Sequence, residues 1–329
     1  MCGSIMKSKK IIFDTDIGWD CDDAGALALI HSLCNRGEAE LLAVTATYYH
    51  RYVAGCIDAI NRFYGRIVPV GVNYARRDTF VEAEHPENTY VGYAKPICEE
   101  FPNSYKDGKA EDSIRLMRKI LANQADNSVT IVATGTQTCL AQLLKSEADD
   151  ISELSGAELI VKKVERTVVM GGRFKDTWPM PIIERGVGEL IAEYNITGDI
   201  PSAKFVCDNW PGELVFSSYE IGNYCITLKN VKYDEKAPNP VAYAYKLFGF
   251  SKGRESWDLT AALYGIRPEH DYYYLHEFGK VNVSDEGVTT WEKSDKFRQS
   301  YLLPRKDYSF VVNDIESVIE SELPEWRGN

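Results

Sequence analysis

The chain has 329 residues, 44% of them hydrophobic and 26% charged, with a formal net charge of −12. That is the make-up of a soluble globular protein with room for one large α/β domain or two ordinary ones. With no basic run to offset the acidic balance, a nucleic-acid backbone is disfavoured as partner, whereas free bases, nucleosides and sugars stay open.

Residues 1 to 10 read as a disordered tail ahead of a single domain over 11 to 329. MCGSIMKSKK lacks the apolar core of a signal peptide, and no apolar run approaches a membrane span. Eight cysteines (2, 21, 34, 56, 98, 139, 207 and 225) are scattered without a CxxC, so reduced thiols and a cytoplasmic location are expected. The alternative is an exported or lipid-anchored protein, because Cys2-Gly3-Ser4 is also what lipoprotein processing leaves.

Residues 11 to 30, IIFDTDIGWDCDDAGALALI, hold five acidic side chains within ten positions behind an apolar run. Ile11 to Phe13 read as a buried strand, and Asp23 opens a helix. Asp14, Asp16, Asp20, Asp22 and Asp23 therefore fall on the loop leaving a strand and on the next helical turn, where open parallel sheets bind ligands. Carboxylates held this close repel one another unless a cation neutralises them, and oxygen ligands suit calcium or magnesium. A helix cap on a solvated acidic loop accounts for one or two of these aspartates, not for five.

Further along, residues 39 to 49 read as a strand, 53 to 65 as an amphipathic helix and 68 to 72 as a strand. Residues 74 to 110, broken by Pro86, Pro96 and Pro102, suit a long functional loop. A helix over 113 to 123, a strand over 128 to 135 and a helix over 136 to 146 follow, then a strand ending in Met170-Gly171-Gly172. Residues 173 to 190 read as an irregular insertion with Trp178, Pro179 and Pro181. After a strand at 213 to 218, residues 237 to 266 look helical, 272 to 283 alternate like β-structure, and 314 to 323 close the chain as a helix. Repeated strand-helix units predict an α/β fold: a mostly parallel open sheet with helices on both faces.

Five segments in order resemble the nucleoside hydrolases, calcium-dependent enzymes that cleave the N-glycosidic bond of ribonucleosides. DTDIGWDCDDAGAL is similar to their N-terminal signature, VATGTQTCLAQL to the segment usually written TGPLTN, VVMGG to the MGG turn, EYNITGDIPSA to the EFN segment, and SWDLTAALY to HDPLAVA. The haloacid-dehalogenase phosphatases share the opening FDxD, but they want Thr or Val where Gly18 stands and have no use for Asp22 and Asp23. The resemblance implies a Rossmann-like fold, a Ca²⁺ cofactor, a nucleoside or related N-riboside as substrate, a role in nucleoside catabolism and base salvage, and a homo-oligomer, dimer or tetramer.

Carried over by position, the resemblance implies that Asp16 binds the metal and takes a proton from the attacking water. It places Asp23, Asp258 and the carbonyl of Thr134 on the same metal. Asp22, Glu193 and Asn195 match positions that hold the ribose hydroxyls, Met170 lines the sugar site, and Asp14 braces the loop from behind. Taken singly, Glu193 and Asn195 read as polar caps, Met170 as core and Asp258 as a helix start.

Departures concentrate at the leaving group. Trp257 stands where the best-known branch has a histidine that protonates the departing base, and an indole cannot act as a general acid near neutral pH. Trp257, Tyr48, Tyr49, His50 and the loop from Tyr90 to Tyr93 are expected to form an aromatic wall there, with His50 the candidate for acid help. TGTQTC also lacks the asparagine of TGPLTN. Two functions follow: a calcium-dependent hydrolase of N-ribosides, or a non-catalytic nucleoside or ribose binder that keeps the metal. The retained Asp16 points to the hydrolase.

Overall fold

A computed structural model describes residues 8–76, 92–174, 192–249 and 252–324. Most of the N-terminal tail, His85, Tyr90 and the part of the insertion from 175 onward, with Trp178, Pro179 and Pro181, lie outside the described residues. Strands form at Lys9–Thr15 (β1), Ala39–Ala46 (β2), Val70–Val72 (β3), Glu111–Asp112 (β4), Val129–Ala133 (β5), Val164–Met170 (β6), Leu214–Ser217 (β7), Ile226–Thr227 (β8), Arg254–Glu255 (β9), Tyr273–Leu275 (β10), Gly279–Val283 (β11), Thr289–Lys293 (β12) and Gln299–Pro304 (β13).

Eleven of these strands join one sheet in the order β12-β11-β13-β7-β6-β5-β1-β2-β3-β4, with β10 paired to β13. From β4 across to β13 every pairing is parallel, and the antiparallel pairs are confined to the edge formed by β10 to β13. The open, mostly parallel sheet expected from the strand-helix alternation is therefore present.

β1 shows how the sheet acquires two cores. Successive side chains of a strand point to opposite faces. Ile11 and Phe13 belong to one apolar cluster with the helices Asp22–Asn35, Val53–Phe63, Pro240–Phe248, Trp257–Ile266 and Tyr308–Glu322. Ile12 belongs to the other, with Ser113–Ala122, Thr138–Lys145, Gly156–Lys163 and Ile200–Asn209. Helices thus cover both faces of the central strand, which leaves only the strand ends open to a ligand.

Several local expectations are corrected. β1 extends two residues earlier and two later than its apolar core, so Asp14 lies inside the strand, and the first helix opens at Asp22 rather than Asp23. The helical stretch expected over 237 to 266 is two helices separated by β9, because Gly249 and Gly253 take positive φ of 91° and 87° and turn the chain. The sequence pattern also gave no strand for β12 or β13 and no helix for Gly156–Lys163, whose start is fixed by a reciprocal capping box between Ser155 and Glu158.

The face packed by the first helix contains His31, fully buried, with Nε2 2.8 Å from Asn61 Oδ1 and its ring stacked on Tyr64 at 5.0 Å. Burial pushes the imidazole down from 6.5 to about 3. Between those values the unfolded chain binds a proton that the folded chain does not, so this contribution is fully present above 6.5 and is lost as pH falls toward 3. His31→Gln keeps an amide donor facing Asn61 and removes the titration. Its unfolding midpoint is expected to fall less than that of the wild type between pH 7 and pH 5; equal slopes in calorimetry would assign the acid sensitivity to other groups.

Candidate active site

The chain runs from β1 through β2 and β3 to β4 on one side, then returns to β5 on the other side of β1. The loops that leave β1 and β5 therefore diverge, opening the crevice in which sheets of this type hold ligands. Close approach of the two loops depends on Gly135, since a Cβ there would lie 2.9 Å from the backbone nitrogen of Asp16. The loop after β1 is tied from outside: Tyr93 Oη accepts from the Gly18 amide at 3.1 Å and donates to the Asp20 carbonyl at 2.8 Å, and Tyr48 Oη donates to the Ile17 carbonyl at 3.0 Å.

Three carboxylates converge in this crevice. Asp22 and Asp23 lie in the first turn of Asp22–Asn35, Asp258 in the first turn of Trp257–Ile266, and a ligand oxygen of each lies within 4.8 Å of the other two. The Asp258 amide donates to Asp22 Oδ2 at 3.1 Å, and the hydroxyls of Thr15 and Thr134 donate to Asp23 Oδ1, the latter at 3.3 Å. All three are buried, and desolvation first, then the charge of neighbouring carboxylates (Asp20 on Asp22, Asp16 on Asp23, Asp22 and Asp23 on Asp258), pushes their carboxyls well above the ordinary range. Hydrogen bonds from neutral groups do not offset so much buried negative charge. A donor set made only of oxygens fits a hard divalent cation.

Asp16 lines the same cavity, and its charge adds to the upward shifts of Asp23, Asp258 and Glu193. Thr134 lines it as well, with its amide donating to the Asp14 carbonyl at 2.7 Å and its own carbonyl accepting from Asn195 Nδ2 at 2.7 Å. The convergent trio thus contains Asp22, to which the resemblance gave a sugar contact, with Asp16 and Thr134 beside it. Asp14 sits behind the cavity, accepting from Thr45 Oγ1 at 2.6 Å and held up at about 7 by burial.

The cavity has a volume of about 330 Å³, near the lower end for small-molecule sites. It brings together Asp16, Asp22, Asp23, Thr134, Met170, Glu193, Asn195, Trp257 and Asp258, drawn from segments between residues 16 and 258. Glu193 is turned into the protein as a helix cap: it accepts from the amides of Gly172, Asn195 and Ile196 at 3.0, 2.8 and 3.2 Å, and burial raises it to about 7. The polar-cap reading describes these bonds, and Glu193 also lines the cavity. Asn195 Nδ2 also reaches the carbonyl and sulfur of Met170 at 3.2 and 3.1 Å, which fixes both side chains at the cavity floor.

The expected aromatic wall is corrected. His50 is not among the described residues that line the cavity. β2, which precedes it, lies on the side of β1 away from β5, and His50 sits in the turn before the helix Val53–Phe63, its Nδ1 accepting from the Tyr52 amide at 3.4 Å and its carbonyl from the Val53 amide at 3.1 Å. Tyr48 and Tyr93 are buried supports of the acidic loop, and Tyr49 packs on Tyr74 at 4.9 Å. The wall is built from Trp19, Tyr194, Tyr219 and Trp257, with the guanidiniums of Arg173 and Arg254 and the carboxylate of Asp20 between them. Five of these seven, all but Trp257 and Asp20, escape the sequence reading, which has Asp20 only as a member of the acidic cluster. Trp19, Arg173 and Tyr194 each adjoin a motif residue, a signal that proximity could have supplied; Tyr219 carries none.

Residues 11–303 match the family model described as inosine-uridine preferring nucleoside hydrolase. No match was found among curated proteins. Among solved structures, an inosine-uridine preferring nucleoside hydrolase from Bacillus anthracis superposes with a TM-score of 0.67 at 18% identity, covering 96% of this chain and 99% of that one. The plant nucleoside hydrolase PpNRh1 gives 0.65 at 18%, covering 96% and 98%. The type III effector XopQ, solved in complex with adenosine diphosphate ribose, gives 0.67 at 13%, covering 96% and 95%. Likeness at these identities establishes the shared fold.

Proposed function

The chain belongs to the inosine-uridine preferring nucleoside hydrolase family, a family of N-ribosyl hydrolases, and from that premise we propose that it is a calcium-dependent enzyme cleaving a ribonucleoside or related N-riboside into base and ribose. The observation that carries this reading is the convergence of buried Asp22, Asp23 and Asp258 beside Asp16 in one cavity at the divergence of β1 and β5. Asp22, Asp23 and Asp258 would hold the ion, with Asp16 and the Thr134 carbonyl adjacent to complete its oxygen shell. Calcium bound there supplies charge for the sugar hydroxyls and lowers the pKa of the water it holds.

The chain's own groups do the rest. Asp16 accepts the proton of the attacking water at a carboxylate oxygen. The surrounding carboxylates stabilise positive charge as the ribose carbon gains oxocarbenium character. Asn195 and Met170, fixed on one another and on the Thr134 carbonyl, shape the sugar end. Trp257, an indole that cannot act as a general acid near neutral pH, lines the cavity beside Asp258, so the reading favours leaving groups that depart with little proton transfer.

A second reading, a nucleoside or ribose binder that keeps the ion without turnover, draws on that same missing acid. Against it stands Asp16, since binding alone needs no base on water. Incubating the purified chain with a panel of nucleosides, with and without chelator, and assaying free ribose separates the two: chelator-sensitive ribose release supports the hydrolase, and its absence across the panel with retained nucleoside binding supports the binder. We also carry over a homo-oligomer, dimer or tetramer, which sedimentation velocity checks.

A further inference from the structure

The leaving-group end of the cavity is already stacked within the chain. The guanidinium of Arg173 lies 3.8 Å over the ring of Tyr219, Tyr219 stacks on Trp257 with centroids 5.4 Å apart and planes 27° apart, and the guanidinium of Arg254 lies 4.8 Å from the centre of the indole. Trp257 Nε1 donates to the Tyr219 carbonyl at 2.9 Å, which fixes the ring in its own plane. All four side chains line the cavity.

Arg254 is fixed from its other side. Its Nε donates to Asp20 Oδ1 at 3.0 Å and its Nη2 to Asp20 Oδ2 at 2.6 Å, a bidentate pair joining positions 234 apart, while Nη1 meets Glu255 at 2.6 Å. A planar fork gripped this way loses little further freedom on stacking. With two carboxylates on it, Arg254 is no anion receptor. It serves as a rigid plate against the indole.

We propose that the Asp20–Arg254 pair is a positioning device for the leaving group: it holds the Arg254 guanidinium against Trp257, which also stacks on Tyr219, so that a nucleobase meets a preassembled cation-aromatic wall. This rests on the proposed function, which assigns that end of the cavity to the base. The ladder places Asp20 and Arg254 among the specificity-determining residues while the ribose end is left to the aspartates. A preorganised wall lowers the ordering cost of binding the base, and the cation-aromatic contacts that maintain it are stronger when desolvated.

The test uses the full-length, calcium-loaded chain and two titrants in calorimetry: carbocyclic adenosine, which cannot be cleaved because a CH₂ replaces the ring oxygen, and free ribose. Arg254→Gln and Asp20→Asn are each expected to weaken carbocyclic adenosine roughly tenfold and to leave ribose within about twofold, with the double variant no weaker than the poorer single one. A parallel loss of both ligands, or no loss of either, overturns the proposal, as does a wild type that binds ribose but not the nucleoside analogue. If Arg254→Gln lowers the unfolding midpoint severely, Asp20→Asn, which removes charge without removing a side chain, decides alone. Because binding is read without turnover, a wild type that fails to release ribose counts against the hydrolase and leaves this comparison intact.

Discussion

Asp16→Asn is expected to lower the rate of ribose release by a factor on the order of 10³ or more, with the unfolding midpoint close to that of the wild type. General bases alone contribute about 10² to 10⁴ in rate, and this substitution also removes one negative charge beside Asp22, Asp23 and Asp258. Asp16 sits at the start of the loop after β1, where Gly135 lets the turn after β5 approach its backbone. The amide keeps the shape of the carboxylate, so the loop is not disturbed. Steady-state assays of ribose release with thermal unfolding in parallel check the result; turnover near wild type would mean that another carboxylate serves as base.

Stripping divalent ions with a chelator is expected to abolish turnover, and calcium to restore it at one ion per chain. The reason is the electrostatics of the trio: three buried carboxylates with ligand oxygens within 4.8 Å cannot all ionise cheaply without a cation. Their raised pKa values mean that protons compete with the ion, so apparent calcium affinity should weaken as the pH is lowered from neutral. An ion that binds only the folded chain also stabilises it, by about 2.7 kcal/mol at one hundred times its Kd. Equilibrium dialysis at two pH values and unfolding curves with and without calcium measure both effects. A metal-free chain with full activity would remove the ion from the reaction.

Much of the fold was legible because it is local. The alternation of short apolar runs with 3.6-residue periodicity reports burial of strand and helix faces, and residues 11 to 266 follow it closely. The missed helix Gly156–Lys163 had a local signal in its capping box, whereas the other failures had none. The breaks at Gly249 and Gly253 and the late strands β12 and β13 are set by backbone conformation and by edge pairing, neither of which leaves a periodic trace. β13 in particular is a strand because β7 offers it a parallel partner, and nothing in QSYLLP announces which strand that will be.

The sequence by itself determined the chemistry available: a block of aspartates after a buried strand, a second aspartate at a distant helix start, and an indole where an imidazole would supply a proton. Tertiary structure decided which of them meet. It placed the Asp258 amide on Asp22, 236 positions away, turned Glu193 into a helix cap facing the cavity, moved His50 to the far side of β1, and joined Asp20 to Arg254. The physical reason is that periodicity encodes which face of an element is buried, whereas contact between elements depends on strand order, and here that order reverses at β1, so that the loops leaving β1 and β5 diverge to open the crevice.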